Sequence, residues 1–282
     1  MTTFLDVETA DFVQAAQSMA HDVGDPAGNA LLRLQFGLGD CAQMAGRDPG
    51  GAAWAASYDR AAAAALTAAT DVVDATYRVG AMFAQTARNY AAADAASGGH
   101  PAHVDAAPVP RHNAAPCLSP PSATGGSGGA PTGWSLVENT VGRVWPDGHQ
   151  DRLHAAAVAW SRAASTLRDT ASWTVLSDVA FDRDRLPEAD DMNVVCMSVT
   201  SHINAVAGVF DQLADSCREL AQHIDVAHSE VEHELASLAG QSAAIEVGGA
   251  VCCPSSLRAR PSWWRKGSRP GGSPLSRIAS AI

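Results

Sequence analysis

The sequence predicts an all-α protein made of two long antiparallel helical-hairpin modules joined by a Pro/Gly-rich linker. Three observations carry that reading. Hydrophobic residues make up 46 % of the 282, yet aromatics are only 6 %, so alanine supplies much of the apolar total. Alanine is the best helix former and fills little volume, which favours long helices in close contact. Two segments carry apolar stripes with alternating steps of three and four residues. Between the modules lies a stretch that could pack on very little.

That stretch is the linker, 97–133. Its SGGHPAH, APVPRHNAAP, LSPPS and ATGGSGGAPTG runs alternate stiff Pro and flexible Gly/Ser segments. It separates a module at 1–96 from one at 134–248, and 249–282 differs from both.

In the second module a first helix covers about Asp151–Ala171. Its stripe is Leu153, Ala157, Trp160, Ala164, Leu167 and Ala171. The WPDG turn at Trp145–Gly148 precedes it, with Asp147 as the expected N-cap. A longer helix is expected from about Asp190 to Ala239. Its seam runs Val199, Ile203, Val206, Phe210, Leu213, Cys217, Leu220, Ile224, Ala227 and Val231. Sustained alternation of this kind implies knobs-into-holes packing on a neighbouring helix. FDRDRLPEADD between the two helices suits a turn and a helix start.

The first module repeats the theme with smaller residues. Asp6–Asp22 and Ala27–Ala45 each fit a helix. GRDPGG at Gly46–Gly51 is a turn with Asp48 as N-cap and Pro49 at the first helical position. A helix over about Gly50–Ala96 follows, its stripe being Leu66, Ala69, Val73, Thr76, Gly80, Phe83, Ala87 and Tyr90. Small residues fill half of it, so its neighbour must approach closely.

Net charge is −11. The tail 249–282 holds six basic residues and no acid, so the other residues carry −17, the −11 of the whole less the tail's +6. An acidic body excludes a nucleic-acid groove, which needs clustered Lys and Arg. No membrane span of ~18 apolar residues is expected. Met1–Ala20 carries Asp6, Glu8 and Asp11 without Lys or Arg, the reverse of a secretory signal peptide. Cys41, Cys117, Cys196, Cys217, Cys252 and Cys253 match no zinc or redox spacing and are expected to be small hydrophobes.

No catalytic, metal or cofactor constellation is found, and the chain is not expected to be an enzyme. His223, His228 and His233 are five apart and fall on different helix faces, whereas metal pairs want four. EVEHE at Glu230–Glu234 resembles half of HExxH without the second His, and a solvated acidic helix face is the expectation there. Ser and His occur without a GxSxG elbow. Asp190 and Asp191 suit a helix start, where the macrodipole favours acids.

Two stretches resemble a known family: GRDPGGAAWAASYDRAAAAAL at Gly46–Leu66 with YAAAD at Tyr90–Asp94, and VWPDGHQDRLHAAAVAWSRAASTL at Val144–Leu167. They are similar to the WXG100-like N-terminal region of large actinobacterial secreted toxins, over about residues 30 to 240. The resemblance implies helical hairpins exported by a type VII route, placing the protein outside the cell or at its surface. Its partners would be the type VII machinery or a helical partner. The family's W-x-G turn is partly kept. Trp54 lacks the glycine, and Trp145 has it one position late, at Gly148. Trp54 and Trp160 are also expected to pack in the core. The Y-x-x-x-[DE] export element matches at Tyr90 and Asp94. The tail CCPSSLRARPSWWRKGSRPGGSPLSRIASAI departs from the family after Gly249 and has the composition of a GC-rich gene read out of frame. Alternatively it is a true basic tail that could touch an anionic membrane. A helical partner or chaperone that stays in the cytoplasm is the alternative function. The sequence leaves the oligomeric state open.

Overall fold

The structure is a computed structural model that describes residues 8–98, 118–126, 128–132, 134, 138, 144–172, 186 and 188–247, with side chains as far as 237. Its helices are α1 (Thr9–Ser18), a π-helical segment (Met19–Gly24), α2 (Asp25–Gly39), α3 (Pro49–Gly98), α4 (Gln150–Ser172) and α5 (Ala189–Val247). Among the described residues there is no strand. One isolated antiparallel bridge joins Gly46 to Gly125.

The two helices expected at the N-terminus are instead one run, Thr9 to Gly39, carried through its middle by the π segment. No break separates them between Asp22 and Ala27, for a packing reason. A Cβ on Gly24 would lie 2.9 Å from the Tyr77 ring, and the Tyr77 hydroxyl donates to Asp25 Oδ1 at 2.5 Å. The wider π turn keeps both residues against α3, with Pro26 beginning the next helix.

The run is antiparallel to α3 at first. Phe12 stacks on Tyr90, and Gly80 faces Ala16 and Met19. It then passes to α4, where Gly37 faces Ala159. α4 and α5 are antiparallel: Arg168 pairs with Asp211 and Arg218 bonds Ser161. α3 packs on α5 in the same sense, with Trp54 bonded to Ser216 near one end and Tyr90 to Glu188 at the other. One continuous core therefore unites the two hairpins, from Phe12 to Ile224.

Two expectations are corrected. Part of the linker is docked: Gln43, Ala45 and Gly46 N–H groups donate to the carbonyls of Ser122, Ala123 and Gly125, and Ala123 is fully buried. Its small residues let backbone meet backbone, so Gly and Ala here serve close approach as well as flexibility. Secondly, a window within Ala189–Ser237 reaches a mean hydropathy of 1.3, so α5 is long and apolar enough to cross a membrane by length and composition. The seam and the valines and methionines beside it add up to what no single unbroken apolar run supplies. A third of that window is buried in the bundle.

Candidate functional site

Tyr90 lies two turns before the end of α3, and Asp94 one turn further on. Their spacing puts both on one side of the helix. Tyr90 is half-buried and Asp94 exposed. The Tyr90 ring stacks on Phe12 of α1, with centroids 5.7 Å apart. Its hydroxyl donates to Glu188 Oε2, at the head of α5, at 3.2 Å. Burial first, and the Glu188 carboxylate second, push the phenol pKa up, so the group is a neutral donor. Thr86, Asn89, Tyr90, Ala93, Glu188 and Met192 line an open cleft there. The cleft thus carries an aromatic edge and a carboxylate on its walls. Among the described residues no cluster could hold a metal ion.

The opposite end of the bundle holds the tryptophan turns. Asp48 caps α3 by accepting the Gly50 and Gly51 N–H groups, and Pro49 opens the helix. Asp147 does not cap α4, contrary to the expectation. Its Oδ1 accepts the N–H groups of Arg47, at 2.6 Å, and Asp48, at 3.1 Å. It thereby ties the turn of one hairpin to that of the other, and His149 supplies the carbonyl that starts α4. Gly148 is pressed against α5, where an added Cβ would lie 2.6 Å from Ile224 Cδ1. Gly46 has φ +85°, a conformation that favours glycine.

Trp54 and Trp160 share Tyr58 as a partner, a residue that no stripe or motif singles out. Trp160 is fully buried, packs edge-on against Phe210 and donates to the Tyr58 hydroxyl at 2.8 Å. Cys217 is buried near Tyr58. Trp54 is half-buried, stacks on Tyr58 at 4.8 Å and donates to Ser216. Burial raises the Cys217 thiol to about 12 and the Cys196 thiol to about 11. Trp145 stacks on His228 at 3.9 Å, and its buried Nε1 has no hydrogen-bond partner. His228 bonds the Pro146 carbonyl and the Gln150 side chain. It is therefore part of a packed aromatic cluster. Position alone carried no signal for this, because the ring is recruited by the WPDG turn some eighty residues earlier.

Along α5, Val199, Ile203, Val206, Phe210, Leu213, Ile224 and Val231 are buried, and Leu220 is partly so. Cys41, Cys196 and Cys217 are buried free thiols. Cys117, Cys252, Cys253 and the tail 249–282 lie outside the described residues.

Comparison with known proteins gives the context. Residues 128–262 match the model of the WXG100-like domain, a match that runs past Gly249, where the composition changes. The chain is 34 % identical over 229 residues to the outer membrane channel protein CpnT of Mycobacterium tuberculosis and of Mycobacterium bovis. That alignment covers 76 % of this chain and 27 % of each relative. Over 143 residues it is 36 % identical to Mav of Mycobacterium avium, a protein named for NAD(+)–arginine ADP-ribosyltransferase activity; this covers 50 % of the chain and 17 % of Mav. The chain thus spans about a quarter of the length of the CpnT proteins and less of Mav. No solved structure matches it. Residues 128–262 are thus similar to the WXG100-like domain, on a polypeptide that is similar along most of its length to part of the mycobacterial CpnT proteins.

Proposed function

We propose that this chain is a non-enzymatic helical interaction module for type VII export, part of a toxin-like secreted protein, and that Tyr90 and Asp94 are its export element. The modules would be 1–96 and 134–248, with the basic tail after them. The observation that carries the proposal is the placement of the pair. Both side chains stand on the last turns of α3, at the bundle end away from the tryptophan turns. A carboxylate near a helix C-terminus is disfavoured by the macrodipole by ~0.3–1 kcal/mol, so Asp94 does not serve helix stability. Tyr90 would give a partner area, and Asp94 orientation. The channel and transferase activities in the relatives' names belong to much longer proteins and are not assigned to this chain.

In a type VII-competent host, Tyr90→Ala or Asp94→Ala should remove the protein from the culture filtrate while circular dichroism stays helical. Export of both folded variants at the wild-type level would reduce the motif to helix packing. A cytoplasmic helical partner or chaperone is the second reading. It is supported by apolar side chains that α5 leaves in solvent, Val194 and Met197. Failure of the wild type to leave the cell would favour it.

A further inference from the structure

We infer that the chain binds a second copy of itself through two unlike surfaces, Phe36 and Arg33 of one copy entering the cleft beside Tyr90 of the next. The inference stands apart from the export proposal, because it concerns what fills the cleft rather than what reads the motif.

Phe36 is the most exposed large hydrophobic among the described residues, at 78 %, on the outer side of α2. Leu32 is one turn before it and also exposed. Arg33 is exposed and three residues before Phe36, so guanidinium and ring project from the same part of the helix. α2 is closely packed on α4 here, as Gly37 against Ala159 shows, so the ring cannot fold inward. A projecting aromatic beside an arginine is the composition of an interface anchor.

The cleft has the complementary character. It lies between the last turns of α3 and the start of α5, with a volume of about 380 Å³, within the ~300–1,000 Å³ usual for a ligand site. Tyr90 presents an aromatic edge and Met192 a thioether, both good neighbours for a phenyl ring. Glu188 lines the cleft, and Asp94 and Asp191 are exposed close by in sequence. A carboxylate on the wall of the cleft is what Arg33 requires for a charge-assisted bond.

The two surfaces cannot meet within one copy. The anchor is on the α2–α4 side, and the cleft belongs to the α3–α5 pair at the end of the bundle. The contact is therefore head-to-tail, and it grows beyond a dimer unless its rotation closes a ring. The net charge of −11 opposes it. At ~0.15 M salt the Debye length is ~8 Å, so the general repulsion is damped while the contacting pair is not. The association is weak by this argument, and it would cover the edge of Tyr90.

The test is sedimentation of the full chain at ~0.15 M salt, from about 5 to 500 µM, a range that reveals a weak self-contact. The weight-average mass should rise above the 29.1 kDa of one chain with concentration. Phe36→Ser should hold it at the monomer value. Phe36 is in solvent, so that variant keeps its fold. Arg33→Glu and Glu188→Arg should each weaken association about tenfold, and the two mixed or combined should recover most of it, since the opposite charges are only exchanged. A wild type that stays monomeric throughout, or a Phe36→Ser variant that associates as well as wild type, overturns the inference. Failure of the charge exchange to recover association overturns the assignment of the cleft as the socket.

Discussion

The two ends of the bundle are built on opposite principles. At the tryptophan end three backbone stretches, Gln43–Gly46, Ser122–Gly125 with Gly128, and Asp147–His149, bond directly to one another. Asp147 bridges two turns, and Gly148 leaves no room for a methyl group. At the Tyr90 end the contacts are side chain to side chain: one aromatic stack, one hydroxyl–carboxylate bond and an open cleft. Backbone junctions with excluded volume tolerate little change, whereas partly solvated side-chain contacts are individually worth little. The first end is where the fold is specified. The second contributes few contacts to the fold, which is what the export proposal requires of it.

Substitutions graded by position test this contrast. The largest effect is expected beneath the tryptophan end. Trp160→Ala removes a fully buried indole and leaves Tyr58 without its donor, and should cost about 3–5 kcal/mol in chemical denaturation. A loss below about 1 kcal/mol would show that the two hairpins do not share one core.

Alkaline titration comes next. The Cys217 thiol is raised to about 12 in the fold against its ordinary 9.0, mainly by burial. The unfolded chain therefore releases this proton first. Its contribution is complete below pH 9 and is lost as pH rises from 9 towards 12, at up to ~1.4 kcal/mol per unit. Cys217→Ala should flatten the decline. A wild type whose stability is level between pH 8.5 and 10.5 would contradict the burial of the Cys217 thiol.

Gly148→Ala should cost about 1–3 kcal/mol, since the new methyl must displace Ile224 or the Ala45 carbonyl. An unchanged melting temperature would mean that the WPDG turn is free to move away. The smallest effect belongs to the other end. Tyr90→Phe gives up only a bond to an exposed carboxylate, and should change stability by less than about 0.5 kcal/mol. A loss above 1 kcal/mol would place Tyr90 among the residues that specify the fold and erase the difference between the ends.

Much of the architecture was legible because helix stripes are local. The α4 stripe from Leu153 to Ala171 is buried at every position, and the α3 stripe from Leu66 to Ala87 likewise. Their steps of three and four follow from 3.6 residues per turn, whatever lies opposite. Asp48 and Pro49 at the start of α3 were readable for the same reason, since a cap acts within three residues. Asp147 was misread because its acceptor capacity is used a hundred residues away, where nothing local competes for it.

The candidate site was legible only in half. Tyr90 and Asp94 follow from spacing, but Glu188 and Phe12, which hold Tyr90, come from helices at the far ends of the chain order. Tyr58 and Ser216 were invisible as partners of Trp54 and Trp160 for the same reason.

The sequence by itself determined that the chain is helical, which face of each long helix is apolar, and where α3 is capped, because each depends on neighbours within one or two turns. Only the tertiary structure decided that the two hairpins share a single core, that Ser122–Gly126 docks on the first turn, and that Gly148 and Asp147 fasten the turns together. Those outcomes depend on which apolar face meets which. A stripe that can pack on any complementary stripe does not name its partner; the volumes of Gly, Ala and Trp at the points of closest approach do.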